Sequence, residues 1–164
     1  MKNSNPVPAQ YRQGDVMVVE AGKLASGLKK IERDAGRIVL ANGKGNGRAH
    51  VLVDPKAEML ADKEGTRFLQ VVGKKIKGTF AIVRHGNPYV TVCHDGEDAL
   101  RFRMTDVTIG RKNNCPVAKV DGFFGLVRHD CAQPDHATLA LPRGNYRIVR
   151  QREFQQGDVR NVID

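Results

Sequence analysis

Five histidines carry the most direct chemical signal in this chain. His50, His85, His94, His129 and His136 all fall at or near the ends of predicted strands, the positions from which β scaffolds present their sites. The densest group is His129-Asp130-Cys131 followed by Asp135-His136, one short loop with nitrogen, sulfur and oxygen donors. A divalent metal accepts such a donor set, although the spacing matches no standard zinc pattern. A cupin-like barrel gathers ligands from facing strands, so His50, His129 and His136 form the candidate metal or small-molecule site. Ordinary hydrogen-bonded loop histidines are the competing reading, with no cofactor at all. Two histidines titrating near neutrality also suit general acid–base work on an RNA 2′-hydroxyl, but no spacing brings a particular pair together. Cys93 beside His94 is not a nucleophile pair, because neighbours along a strand point to opposite faces.

The second signal is charge. Twenty-seven Lys and Arg against eighteen Asp and Glu leave a formal charge of +9 in 164 residues. Such an excess attracts polyanions, nucleic acid first among them, and it equally serves solubility or an acidic protein neighbour. The cations expected to contact phosphates are Lys74, Lys75 and Lys77 ahead of one strand, Arg101 and Arg103 on another, and Arg147 and Arg150 near the end. Arg101 and Arg103 share a face by the period of two. Aromatic residues make up only 5% and Trp is absent, so Phe80, Tyr89 and Phe102 are the stacking candidates and contact with the phosphate backbone is the expected mode. The run Gly43-Lys44-Gly45-Asn46-Gly47-Arg48 lacks the G-x-x-x-x-G-K-[ST] order and no helix follows it, so it reads as a hairpin loop rather than a phosphate cradle.

The elements that must position these residues are short strands. Runs rich in Val, Ile, Phe and Tyr recur at 16–19, 37–41, 48–53, 67–72, 79–84, 89–93, 99–104, 107–109, 123–128, 138–141 and 146–150, separated by Gly, Asn, Asp or Pro. No helical period is long enough to supply crossovers, and a single short helix is expected at 57–64, where AEMLADKE strings helix formers together. The fold class is therefore all-β, an antiparallel sandwich or barrel with at most one or two short helices. Residues 23–34 read as a basic surface loop. Residues 1–10, with two prolines, read as an extended N-terminal arm ahead of one β-rich domain, 11–164.

Composition bounds the rest. Hydrophobic residues at 40% and charged residues at 27% fit a globular domain with one core. No apolar stretch is long enough for a membrane-spanning helix, and the polar start lacks a secretory core, so a cytoplasmic location, or a virion, is expected. Three cysteines without C-x-x-C spacing suggest free thiols rather than a disulfide framework. The expected role is non-enzymatic binding of a polyanion. A structural or assembly role, with the arm contacting neighbouring subunits in a homo-oligomer, is the alternative.

Several segments carry a resemblance. Gln13-Gly14-Asp15-Val16, then Gly47-Arg48-Ala49-His50, then Leu141-Pro142-Arg143-Gly144-Asn145-Tyr146-Arg147 with Gln151-Arg152-Glu153-Phe154, are similar to a group of small uncharacterised bacterial and phage proteins. That group has QGDV, then G-H-x-H, then H-x-x-x-x-L-P-x-G-x-Y, ending in QRE and an aromatic residue. The resemblance matches His50 to the second histidine of G-H-x-H and His136 to the histidine before L-P-x-G, while Arg48 stands where the first histidine would be. It covers about half the chain, leaves 74–126 without a counterpart, and implies no known activity.

Overall fold

The structure is a computed structural model that describes residues 6–42, 49–94, 98–129, 137–150, 152–155 and 158–161. The first strands are β1 (Gln10–Gln13), β2 (Val16–Glu20), β3 (Lys29–Ile31), β4 (Ile38–Asn42), β5 (Ala49–Val53), β6 (Glu58–Ala61) and β7 (Arg67–Val71). They are followed by β8 (Lys74–His85), β9 (Tyr89–His94), β10 (Asp98–Arg103), a 3-10 turn at Met104–Asp106, β11 (Thr108–Lys112) and β12 (Cys115–His129). The chain closes with β13 (Thr138–Pro142), β14 (Gly144–Arg150), β15 (Arg152–Gln155) and β16 (Asp158–Asn161). The fold is all-β, as the short apolar runs predict.

One sheet has the order β1-β2-β14-β7-β6-β3, and the second has β13-β10-β9-β8-β12-β5-β4. The second sheet curls on itself, because β13 pairs with β10 at Leu100↔Thr138 and also with β12 at Val127↔Leu139. The result is a closed ring of five strands, β8-β9-β10-β13-β12, in which only the β10–β13 pair is parallel. Strand β12 makes this possible by its length of 15 residues. Its first half pairs with β8, and its last residues reach out of the ring to pair with β5. Ile76, Val90, Val92, Leu100, Phe102, Ala118, Val120, Phe124 and Ala140 fill the ring, while a second core of Val18, Leu40, Leu52, Leu69, Leu139, Leu141 and their neighbours lies between the sheets.

The predicted helix at 57–64 is instead β6 and the turn after it. Met59 is buried against the core and β6 is hydrogen-bonded on both edges, to β3 and β7, so ladder pairing outweighs a helix propensity that could span barely two turns. The expected basic loop at 23–34 contains β3 for the same reason. The end of the N-terminal arm is tied down, since Glu20 N–H donates to the Ala9 carbonyl at 2.9 Å. Phe102, a stacking candidate in the sequence, is fully buried inside the ring and cannot meet a base. The glycine run 43–48 lies outside the described residues. Among the described residues no helix is long and apolar enough to cross a membrane.

Candidate functional site

Alternation along β9 and β10 sends Val90, Val92, Leu100 and Phe102 into the ring and leaves Tyr89, Thr91, Arg101 and Arg103 outside. The antiparallel register sets Arg101 opposite Thr91 and Arg103 opposite Tyr89, so the four form one cross-strand patch. A cleft of about 260 Å³ opens over it, lined by Arg84 at the end of β8, Gly86 and Asn87 in the following turn, Tyr89, Thr91, Arg101 and Ala137. The Arg101 guanidinium lies 4.6 Å from the centre of the Tyr89 ring. Partial burial holds the Arg101 pKa below its ordinary value, yet a guanidinium stays charged at any physiological pH.

Strand β1 is tied to two of the residues that line this cleft. Arg12 donates its backbone N–H to the Tyr89 hydroxyl at 2.7 Å, and its carbonyl accepts from Arg101 Nη2. Next to it, Arg103 lies over the Tyr11 ring at 5.7 Å, and Tyr11 donates its hydroxyl to Asp106 at 2.8 Å. Desolvation pushes both the Tyr11 hydroxyl and the Asp106 carboxyl upward, so this contact keeps its donor proton across the neutral range. Among the described residues, Nε of Arg101 and Nε of Arg103 meet no acceptor. Arg101 is thus held by the Tyr89 ring and the Arg12 carbonyl, while Arg103 lies over the Tyr11 ring within electrostatic reach of Asp106.

A second polar cluster lies behind β1, inside the protein. The Gln13 side-chain amide donates to the carbonyls of Val127 and Ala137, both at 2.9 Å, which fixes its orientation. Its oxygen therefore faces His50 and accepts from Nδ1–H at 3.0 Å, so the proton of neutral His50 is on Nδ1. Nε2 of His50 then points at Nε2 of His129, 2.9 Å away, with an Asp15 oxygen 3.6 Å from the same atom. The two nitrogens make a hydrogen bond only when one of them carries the proton. Gln13, Asp15, His50 and His129 are all buried. Gly14, at φ +58, provides the turn that lets Gln13 and Asp15 enter the same cluster from either side of it.

The predicted residues separate accordingly. His50 and His129 do meet, and their register partnership across β5 and β12 explains it. His136 lies outside the described residues, and among the described residues no group of three His, Cys, Asp or Glu side chains could hold a metal ion. Of the predicted cations, Arg101 and Arg103 share one patch. Lys74, Lys75 and Lys77 lie at the other end of β8, roughly 30 Å from Arg84 at the usual rise per residue. Lys75 is bound to Asp121 at 2.6 Å. Arg147 is on the other sheet, exposed beside Glu64 and Arg67, and the Arg150 side chain lies outside the described residues. The sequence does not single out Gln13 and Asp15 as site residues, because nothing local ties them to histidines more than 30 positions away; their signal is membership of the Gln13-Gly14-Asp15-Val16 motif.

A family model described as a domain of unknown function (DUF8820) matches residues 12–102, more than half of the chain. The chain belongs to this family. The matched segment of the DUF8820 domain begins beside Gln13 and ends inside β10, so it includes Gln13, Asp15, His50 and Arg101 but not His129. No curated protein and no solved structure matches the chain.

Proposed function

We propose that the protein binds a nucleic-acid strand across the β9–β10 face of its barrel, by phosphate contacts from Arg84, Arg101 and Arg103 beside the Tyr89 ring. The observation that carries this reading is the cleft of Arg84, Tyr89, Thr91 and Arg101 on the second and third strands of a five-stranded ring. Oligonucleotide- and oligosaccharide-binding barrels, also five-stranded, take their ligands across strands two and three and the adjoining loops. That is a likeness of architecture; the specific support is the Arg101 guanidinium, held in the cleft by a ring and a backbone carbonyl, beside Arg84 in a chain of charge +9. Phosphate contacts predict affinity that falls steeply with salt.

Fluorescence anisotropy of labelled single- and double-stranded RNA and DNA, at about 50 and 200 mM salt, tests the reading. Binding is expected to be tight and salt-sensitive, to weaken in the Arg84→Ala/Arg101→Ala double variant, and to lose about one to two from the salt slope. Affinity indifferent to salt, or to the double variant, would overturn it.

A second reading keeps a divalent ion held by His50, His129 and His136. Its one observation is that the Nε2 atoms of His50 and His129 face each other at 2.9 Å; the third ligand would come from outside the described residues. Elemental analysis of untagged protein decides it, and less than about 0.1 equivalent of any transition metal removes it.

A further inference from the structure

The far end of β8 borders a different cleft, of about 470 Å³, between the β5–β6 turn, the β7–β8 turn and β12. Its walls are apolar, with Val53 and Phe123 exposed by 43% and 39% and Leu126 opposite Val53 in register. Its rim is cationic: Lys56, Lys74 and Arg143 surround the opening, and among the described residues none of the three is ion-paired with a carboxylate. Phe123 is flanked by the Arg143 guanidinium at 3.9 Å and the Lys75 ammonium at 5.2 Å from its ring centre.

The cleft is built rather than incidental. Buried Asp54 accepts N–H groups from Val72 at 2.9 Å, Gly73 at 2.8 Å and Lys56 at 3.1 Å, which locks both turns to each other and saturates its charge. Arg33 clamps the same β5–β6 turn by donating to the carbonyls of Asp54, Pro55 and Ala57. Gly73 adopts φ +71 and lies so close to β12 that a Cβ there would come within 2.4 Å of the Phe124 carbonyl carbon. Arg143 Nε–H donates to the Val72 carbonyl at 2.8 Å, so its guanidinium stays over Phe123.

We propose that this cleft binds a small anionic amphiphile, a molecule with an apolar body and one carboxylate, sulfonate or phosphate group. An apolar body of that size covers Val53, Phe123 and Leu126, and the acid group meets the unpaired rim cations. A neutral apolar ligand would leave those cations unused. A polyanion would leave the apolar floor wet. The volume is that of an ordinary small-molecule pocket. The site is independent of the β9–β10 face.

The test uses the full chain and 8-anilinonaphthalene-1-sulfonate, a fluorescent aromatic monoanion, with decanoate and its uncharged methyl ester as competitors. One probe per chain is expected, displaced by decanoate and poorly by the ester. Charge reversal at the rim, Lys56→Glu with Lys74→Glu, is expected to weaken it roughly tenfold or more while the protein stays folded. Arg101→Ala leaves probe binding unchanged, which keeps this site distinguishable from the nucleic-acid face. Equal competition by the ester, indifference to the rim variant, or self-association that buries Phe123 in a second copy of the chain would each overturn the proposal.

Discussion

The two interiors of this molecule are made differently. Among the described residues the barrel core contains no buried polar side chain, whereas the sandwich side holds Gln13, Asp15, His50, Asp54 and His129. In the barrel, shape alone selects the packing, with Phe102 and Phe124 meeting edge to face at 5.2 Å between centres. On the sandwich side, directional bonds select it. Gln13 connects β1 to β5 and β12 only in one register, and Asp54 binds its two turns only in one arrangement. Volume defines the half that presents the proposed ligand face. Hydrogen-bond geometry defines the half that backs it.

Substitutions in each half should therefore fail in different ways. The largest effect is expected in the barrel: Phe102→Ala leaves a cavity and costs about 3–5 kcal/mol, measured by urea unfolding. A loss below about 1 kcal/mol would mean that the ring collapses around the gap and is not a shape-defined core. Asp54→Ala leaves the amides of Val72, Gly73 and Lys56 without their acceptor and is expected to cost roughly 3 kcal/mol. It should also loosen the Phe123 cleft, seen as faster amide exchange at 72 and 73. Gln13→Leu preserves volume but removes the acceptor facing His50 Nδ1–H and the donor to the carbonyls of Val127 and Ala137, for about 2 kcal/mol. Unchanged stability in that variant would sink the contrast between the two interiors.

The smallest effect concerns pH. Asp106 is pushed above its ordinary 3.8, chiefly by desolvation, so the folded protein holds that proton more tightly than the unfolded chain does. Its contribution is fully present below the unfolded value and is lost as pH rises through the raised one. Stability measured upward from pH 4 should decline less in Asp106→Asn than in the native protein. Parallel curves would remove Asp106 as the source.

The β class, the positions of most strands and the shared face of Arg101 and Arg103 are legible in the sequence, because a period of two and turn residues are local signals; β1 and β3, which carry no apolar run, are not. The encounter of His50 with His129 is half legible: both residues attract notice, but their partnership depends on β5 lying beside β12, a pairing across 79 positions. The cleft at Phe123 is not legible at all. It needs three turns distant in the chain to converge, and Lys74 and Lys75 read instead as part of a general basic stretch. Met59 shows the opposite failure, where a locally helical string is recruited as a strand by neighbours on both sides.

The order of strands bears on how this protein is made. β14 is inserted between β2 and β7, and β12 separates β8 from β5, so in each sheet an interior strand that joins its two sides is synthesised after much of the rest. On the ribosome, β2 must wait for residues 146–150 and Gln13 for the carbonyl of Ala137. Early strands thus emerge with open edges, exposed to chaperones and to misassociation until the last third of the chain arrives. The segment matched by the family model, 12–102, contains neither β12 nor β14; expressed by itself it is expected to precipitate, and to be rescued by co-expression with the remainder.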